Sequence, residues 1–217
     1  MKLEKMDAFF DSRLDIYEDH QLNCIESAKE FYPYTASLLP VTPGCRVLDL
    51  GCGTGLELDE YFKRNPGARV TGIDLACGML KTLRAKFPDK NLNLIQGSYF
   101  DVPFGEQVFD AAVSAESLHH FTAEQKIPLY TKLCRSLKDS GYFILTDYLV
   151  EREEEEALYF RELARLKKDN GICDSGFYHY DTPLTRKHEI EALLAGGFSK
   201  VEVIGKWQNT YVLKADK

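Results

Sequence analysis

The sequence predicts an α/β fold: a doubly wound, mostly parallel sheet of seven strands that ends in an antiparallel pair. Three observations predict it. Apolar runs of five to eight residues recur along the chain, short enough to be strands buried on both faces. Segments of helical character separate most of them, which implies right-handed β-α-β crossovers. The last two runs are split only by a short turn, as in a hairpin.

The elements follow in order. Residues 7–39 read as mostly helical and carry aromatics at 9, 10, 17, 31, 32 and 34. Strands are expected at 46–50 (RVLDL), 69–74 (RVTGID), 92–96 (LNLIQ), 109–114 (FDAAVS) and 142–149 (YFILTDYL). Helices are expected between them at about 55–64, 77–86 and 122–138. Residues 151–169 begin with a Glu-rich turn, Glu151 and Glu153 to Glu156, which suits the positive end of a solvated helix. An aromatic loop at 170–184 follows, then a helix at about 186–195 with Thr185 as N-cap and Gly196 and Gly197 as its stop. Strands at 200–205 and 208–214, with a turn near Lys206, close the sheet.

These elements make one domain. Residues 1–40 form a helical N-terminal cap, 41–150 a core, 151–184 a second cap, and 185–217 the final helix and strands. Apolar residues at 44% and charged residues at 28% exclude a disordered chain. A net charge of −7 argues against a broad grip on phosphate backbones. No run approaches the roughly 20 apolar residues that span a bilayer, and the N-terminus lacks a secretory pattern, so a cytoplasmic protein without membrane partners is expected. Six cysteines, at 24, 45, 52, 77, 134 and 173, form no C-x-x-C pair and read as small core residues.

The most informative stretch is Val47-Leu48-Asp49-Leu50-Gly51-Cys52-Gly53-Thr54-Gly55. A buried strand ends in three alternating glycines and a helix begins. Glycine lets a ligand approach the backbone closely, and the helix start offers free N–H groups. The next strand ends at Asp74, whose carboxylate can accept hydrogen bonds from both hydroxyls of an adenosine ribose. Two cofactor classes use this layout. The dinucleotide spacing G-x-G-x-x-G would need glycine at position 56, where this chain has Leu56.

VLDLGCGTG resembles the S-adenosylmethionine loop of the class I, seven-stranded, Rossmann-like methyltransferases. GIDLACGML (72–80), QGSYFDVPF (96–104) and FDAAVSAESLHHF (109–121) resemble that family's next three segments, in register. The resemblance implies S-adenosyl-L-methionine as cofactor. It would be held by Asp49, Gly51, Cys52, Gly53 and Gly55 in the loop, and by Asp74 and Leu75 at the ribose. Met79 would line the adenine pocket, and Gly97, Ser98, Tyr99, Ser114 and Ala115 would complete the site. One position departs from the pattern: Ser98 stands where an acid usually meets the adenine amino group, so charge-assisted bonding is lost there.

The cluster Glu116-Ser117-Leu118-His119-His120 follows the fourth strand, at the carboxyl edge where such sheets bind ligands. Glu116 and His120 are the catalytic candidates; Glu116 also reads as a partner for the cofactor's amino group or as a solvent-facing acid, and His120 as a ring that orients the loop. Tyr17, His20, Tyr148, His179 and Asp181 are the acceptor-site candidates, drawn from the two caps and the fifth strand. Asp147 reads as a pocket or capping residue, and His188 as solvent-exposed. Apart from 119 and 120 the histidines are scattered, and adjacent histidines seldom share one ion, so no metal is expected. A small-molecule acceptor fits this compact acidic chain best. An RNA or protein methyltransferase and a noncatalytic cofactor-binding protein are the alternatives.

Overall fold

The computed structural model describes residues 2–217. Three helices, α1 (Met6–Asp11), α2 (Leu14–Cys24) and α3 (Ala28–Ser37), precede the first strand, β1 (Arg46–Leu50). Then come α4 (Leu56–Arg64), β2 (Arg69–Asp74), α5 (Cys77–Lys86), β3 (Asn91–Gln96) and β4 (Phe109–Ala115). A 3₁₀ turn at Leu118–His120 leads to α6 (Ala123–Ser136), β5 (Leu137–Tyr148) and α7 (Glu153–Asp169). The chain ends with α8 (Arg186–Ala195), β6 (Lys200–Trp207) and β7 (Thr210–Asp216).

The seven strands lie in the order β3-β2-β1-β4-β5-β7-β6. The first five are parallel, and β7 runs antiparallel between β5 and β6. Chain direction across the sheet reverses between β1 and β4, which leaves a crevice at their carboxyl ends. Val47, Leu48, Leu50, Ala111, Ala112 and Val113 are buried on both faces of these central strands, which is why they read as continuous apolar runs.

The seven strands expected from sequence are all present. The boundaries differ most at two places. β5 starts at Leu137, five residues before the apolar run, because Leu137 pairs with Phe109 ahead of a register shift. The polar Lys138-Asp139-Ser140 in between carry no strand signal. The final turn falls at Gln208 and Asn209, not near Lys206, whose backbone pairs with Tyr211. Thr185 caps α8 as expected, its hydroxyl accepting from the His188 N–H.

The Glu-rich start of α7 is not simply solvated. Glu156 accepts from the Thr185 N–H at 2.5 Å and lies 2.9 Å from His188 Nδ1, fastening α7 to the start of α8. His188 is accordingly half-buried rather than free in solvent. Below this junction Lys126 and Glu189 form a fully buried ion pair at 2.5 Å, and Tyr130 donates to the same carboxylate.

Candidate functional site

The glycine loop builds the first wall. Gly51, Gly53 and Gly55 all adopt positive φ, at 73°, 48° and 75°. At Gly51 a Cβ would stand 2.0 Å from Ser117 Oγ, so only glycine lets the loop after β4 approach the end of β1. Asp74 closes β2 beneath the loop. Its carboxylate accepts from the Gly53 N–H at 2.9 Å and the Ala76 N–H at 2.8 Å, which fixes its orientation. Burial raises the pKa of Asp74 and those two N–H groups pull it back.

Leu75, Met79, Tyr99, Tyr17 and Phe10 complete a cleft over Asp74 that encloses ≈ 40 Å³. Most of its roof comes from α1 and α2. The cap is latched: Asp11 accepts from the Gly78 N–H at 2.8 Å, and Lys86 bridges Glu18 at 2.9 Å and Asp59 at 2.5 Å. Small-molecule sites commonly measure about 300–1,000 Å³. A nucleoside needs more room than the cleft offers with α1 and α2 in this position.

The other expected cofactor residues shape this cleft from behind. The Cys52 thiol packs where a Cβ on Gly72 would be, and Gly55 starts α4 against Leu83. The Gly97 N–H donates to the Asp74 carbonyl. Ser98 Oγ accepts from the Phe100 N–H at 3.1 Å, within its own turn. Ser114 Oγ donates to the Leu50 carbonyl at 2.8 Å, and Ala115 ends β4. Asp49 is buried beside Glu57, and burial raises both acids, Asp49 also by the Glu57 charge. Asp49 Oδ2 and Glu57 Oε1 have no donor among the described residues. One proton shared between the two carboxyls reconciles these facts.

A second cavity of ≈ 500 Å³ adjoins the cleft. Tyr17, His20, Tyr148, His179 and Asp181 all line it, so the structure brings the five acceptor-site candidates together. Phe10, Tyr17, Glu116 and His120 line both spaces and mark their junction. His179 stacks on Phe9 with ring centroids 3.5 Å apart, joining the two caps. Glu116 holds a left-handed φ of 51°, a strained setting for a residue with a side chain. Its Oε1 accepts from Thr210 Oγ1 at 3.2 Å, and burial pushes its pKa up to about 7.

The histidine assigned no role from sequence is the more tightly held of the pair. His119 Nδ1 lies 2.6 Å from Oδ1 of the fully buried Asp147, and its Nε2 lies 3.5 Å from Asp181 Oδ1. Burial opposes charge on His119, but Asp147 and then Asp181 outweigh it and hold its pKa well above the usual range. His120 goes the other way: burial and the His119 charge depress its pKa well below that range. Its Nδ1 lies 3.2 Å from the Tyr180 carbonyl and 3.3 Å from Asp181 Oδ1. The signal for the His119–Asp147 pair lies in the topology. Ala115 pairs with Thr146, so Asp147, next along β5, lies beside the turn that follows β4.

Comparison with known proteins fits this geometry. A family model described as a methyltransferase domain matches residues 48–145, from β1 into β5. The chain is 27% identical over 183 residues to the carboxy-S-adenosyl-L-methionine synthase of Campylobacter fetus, covering 78% of this chain and 76% of that protein. It is 32% identical over 118 residues to the fatty-acid O-methyltransferase of Mycolicibacterium smegmatis, covering 54% of this chain and 42% of that one. The structure of human N-acetylserotonin methyltransferase in complex with SAM superposes with a TM-score of 0.63 at 20% identity. That likeness, one of fold, covers 96% of this chain and 55% of the human one. The chain thus spans about half the length of two of these three relatives.

Proposed function

We propose that the chain, matched by a methyltransferase-domain model over residues 48–145, is a class I S-adenosylmethionine-dependent methyltransferase that methylates a small-molecule acceptor held beneath α1 and α2. One observation carries the reading: the cofactor cleft opens, through a wall of Phe10, Tyr17, Glu116 and His120, into a roofed cavity of ≈ 500 Å³. That volume suits a small molecule and not a polymer lying across the surface. The net charge of −7 supports the same choice.

The residues present fit the cofactor. The Asp74 carboxylate keeps lone pairs for two ribose hydroxyls, and Gly51 and Gly53 leave the backbone bare on the cleft side. Met79, Leu75 and Tyr99 supply apolar walls for a base. When bound, S-adenosylmethionine supplies an electrophilic methyl group. The chain's task is then to hold a nucleophile in line with that methyl and to exclude water. Phe10 and Tyr17 do the latter from the cap. Glu116, at the junction, is positioned to take a proton from an acceptor hydroxyl or amine, and its raised pKa suits that near neutrality. His120, kept neutral, forms the adjoining wall.

The test begins with thermal unfolding in S-adenosylmethionine, S-adenosylhomocysteine or NAD. At 100 times its dissociation constant a ligand adds about 2.7 kcal/mol, a midpoint shift of roughly 5–10 °C. The two sulfur nucleosides should give the shift and NAD should not. Release of S-adenosylhomocysteine is then followed across small hydroxyl, amine, thiol and carboxylate acceptors. Turnover on RNA or protein, with none on any small molecule, would overturn the proposal.

A further inference from the structure

Three side chains from two distant segments converge at one point in the acceptor cavity. His119 Nε2 lies 3.5 Å and His120 Nδ1 3.3 Å from Asp181 Oδ1, and one ligand atom from each of the three residues lies within 4.8 Å of the others; to take an ion, His120 Nδ1 would give up its contact with the Tyr180 carbonyl 3.2 Å away. A cation bound tetrahedrally at about 2.0–2.2 Å would hold its ligand atoms roughly 3.3–3.6 Å apart. The two measured separations to Asp181 match that spacing.

The surroundings are those of an ion site. Asp147, fully buried, meets His119 Nδ1 at 2.6 Å. A carboxylate behind a ligating imidazole fixes the ring and leaves the Nε2 lone pair pointing outward. Asp147 Oδ2 has no donor among the described residues, although it is shut away from solvent. Glu116, Asp147 and Asp181 together bring three carboxyls to the cluster, and among the described residues no lysine or arginine pairs with any of them. A divalent cation there would balance part of that charge.

We propose that His119, His120 and Asp181 form a binding site for a divalent first-row transition cation, with Asp147 positioning His119. Two imidazoles and one carboxylate favour the Fe²⁺-to-Zn²⁺ series over Mg²⁺ or Ca²⁺. Three protein ligands leave coordination positions free toward the cavity. Resting on the reading of that cavity as the acceptor site, the free positions take an oxygen of the acceptor. The substrate class is then one with a hydroxyl or carboxylate oxygen beside its methylated atom.

The experiment uses the whole chain, treated with chelator and titrated with Co²⁺ and with Zn²⁺ at pH 7.5. One equivalent of Co²⁺ should bind, giving visible d–d absorption without a thiolate charge-transfer band. His119→Ala, His120→Ala and Asp181→Asn should each weaken binding at least tenfold. Asp147→Asn should weaken it about 10- to 100-fold without changing the ligand set. S-adenosylhomocysteine binding is measured on every variant, so lost metal affinity counts only where the cofactor site is intact. Asp181→Asn, in a half-exposed loop, guards against loss of fold in the histidine variants. No saturable Co²⁺ binding, a thiolate band, or affinity unchanged in Asp181→Asn would overturn the site. Metal binding is read without turnover, so failure to find a small-molecule acceptor would sink the functional reading and leave this result standing.

Discussion

Asp147 and His119 stand 28 residues apart in the chain and 2.6 Å apart in space. They meet because β4 and β5 run side by side in the same direction and both residues lie beyond the last pair joining the two strands, Ala115 with Thr146. Neither side chain has much access to solvent. Breaking a buried charged pair from one side leaves the other member uncompensated, which typically costs about 3–5 kcal/mol. Asp147→Ala should therefore lose that much stability in urea unfolding at pH 6. A loss below about 1 kcal/mol would mean the contact does not form in solution.

Asp74 is held by two backbone N–H groups and faces the cleft, so its replacement should cost binding more than folding. Hydrogen bonds to a charged group contribute about 1.5–3 kcal/mol each. Asp74→Ala, losing two, should weaken S-adenosylhomocysteine binding by at least about 100-fold in calorimetric titration. Its circular dichroism should be unchanged. Retained affinity would remove Asp74 from the cofactor site.

Gly51 is the point of closest approach between two loops. A methyl group there meets Ser117 Oγ at 2.0 Å and Ser117 Cβ at 2.6 Å, on a backbone with φ of 73°. Strain and overpacking together should make Gly51→Ala at least about 2 kcal/mol less stable. Ser117→Gly in the same chain should recover the overpacking share only. Differential scanning of the three proteins distinguishes the two contributions.

The buried acids Asp49 and Glu57 set a pH dependence with a definite sign. Both carboxyls titrate higher in the folded state than their ordinary values of 3.8 and 4.5. The stability they confer is whole below about pH 4 and is lost as pH rises through the folded values. Glu57→Gln removes part of that loss. It should match the parent near pH 4 and exceed it at pH 8 by on the order of 1 kcal/mol. Urea curves at the two pH values that stay superimposed would contradict this.

Much of the frame was legible because its signals are local. RVLDL and RVTGID coincide with β1 and β2 to the residue, since buried parallel strands are short apolar runs with sharp ends. Thr185 and the glycines after α8 fixed that helix in the same way. The glycine loop and Asp74 were readable from spacing alone. What escaped notice depends on meetings between distant segments. Asp181 reaches His119 and His120 only because the loop after α7 folds back, with the Thr182 N–H donating to the His119 carbonyl. Glu156 looked like one acid among many until His188 was beside it. No periodicity or composition records such encounters.

The cap formed by α1 and α2 has a kinetic meaning. Phe10 and Tyr17 wall both the cleft and the larger cavity, so on the proposed function one element would govern traffic to two ligands. On the proposed function the nucleoside would lie deeper, against Asp74 and the glycine loop, and the acceptor nearer the caps. Occupancy should then be sequential, nucleoside first and acceptor second, with the methylated product leaving before S-adenosylhomocysteine. The latches Asp11–Gly78 and Glu18–Lys86 would act as the escapement of that cycle, letting one turnover pass for each release of the helices.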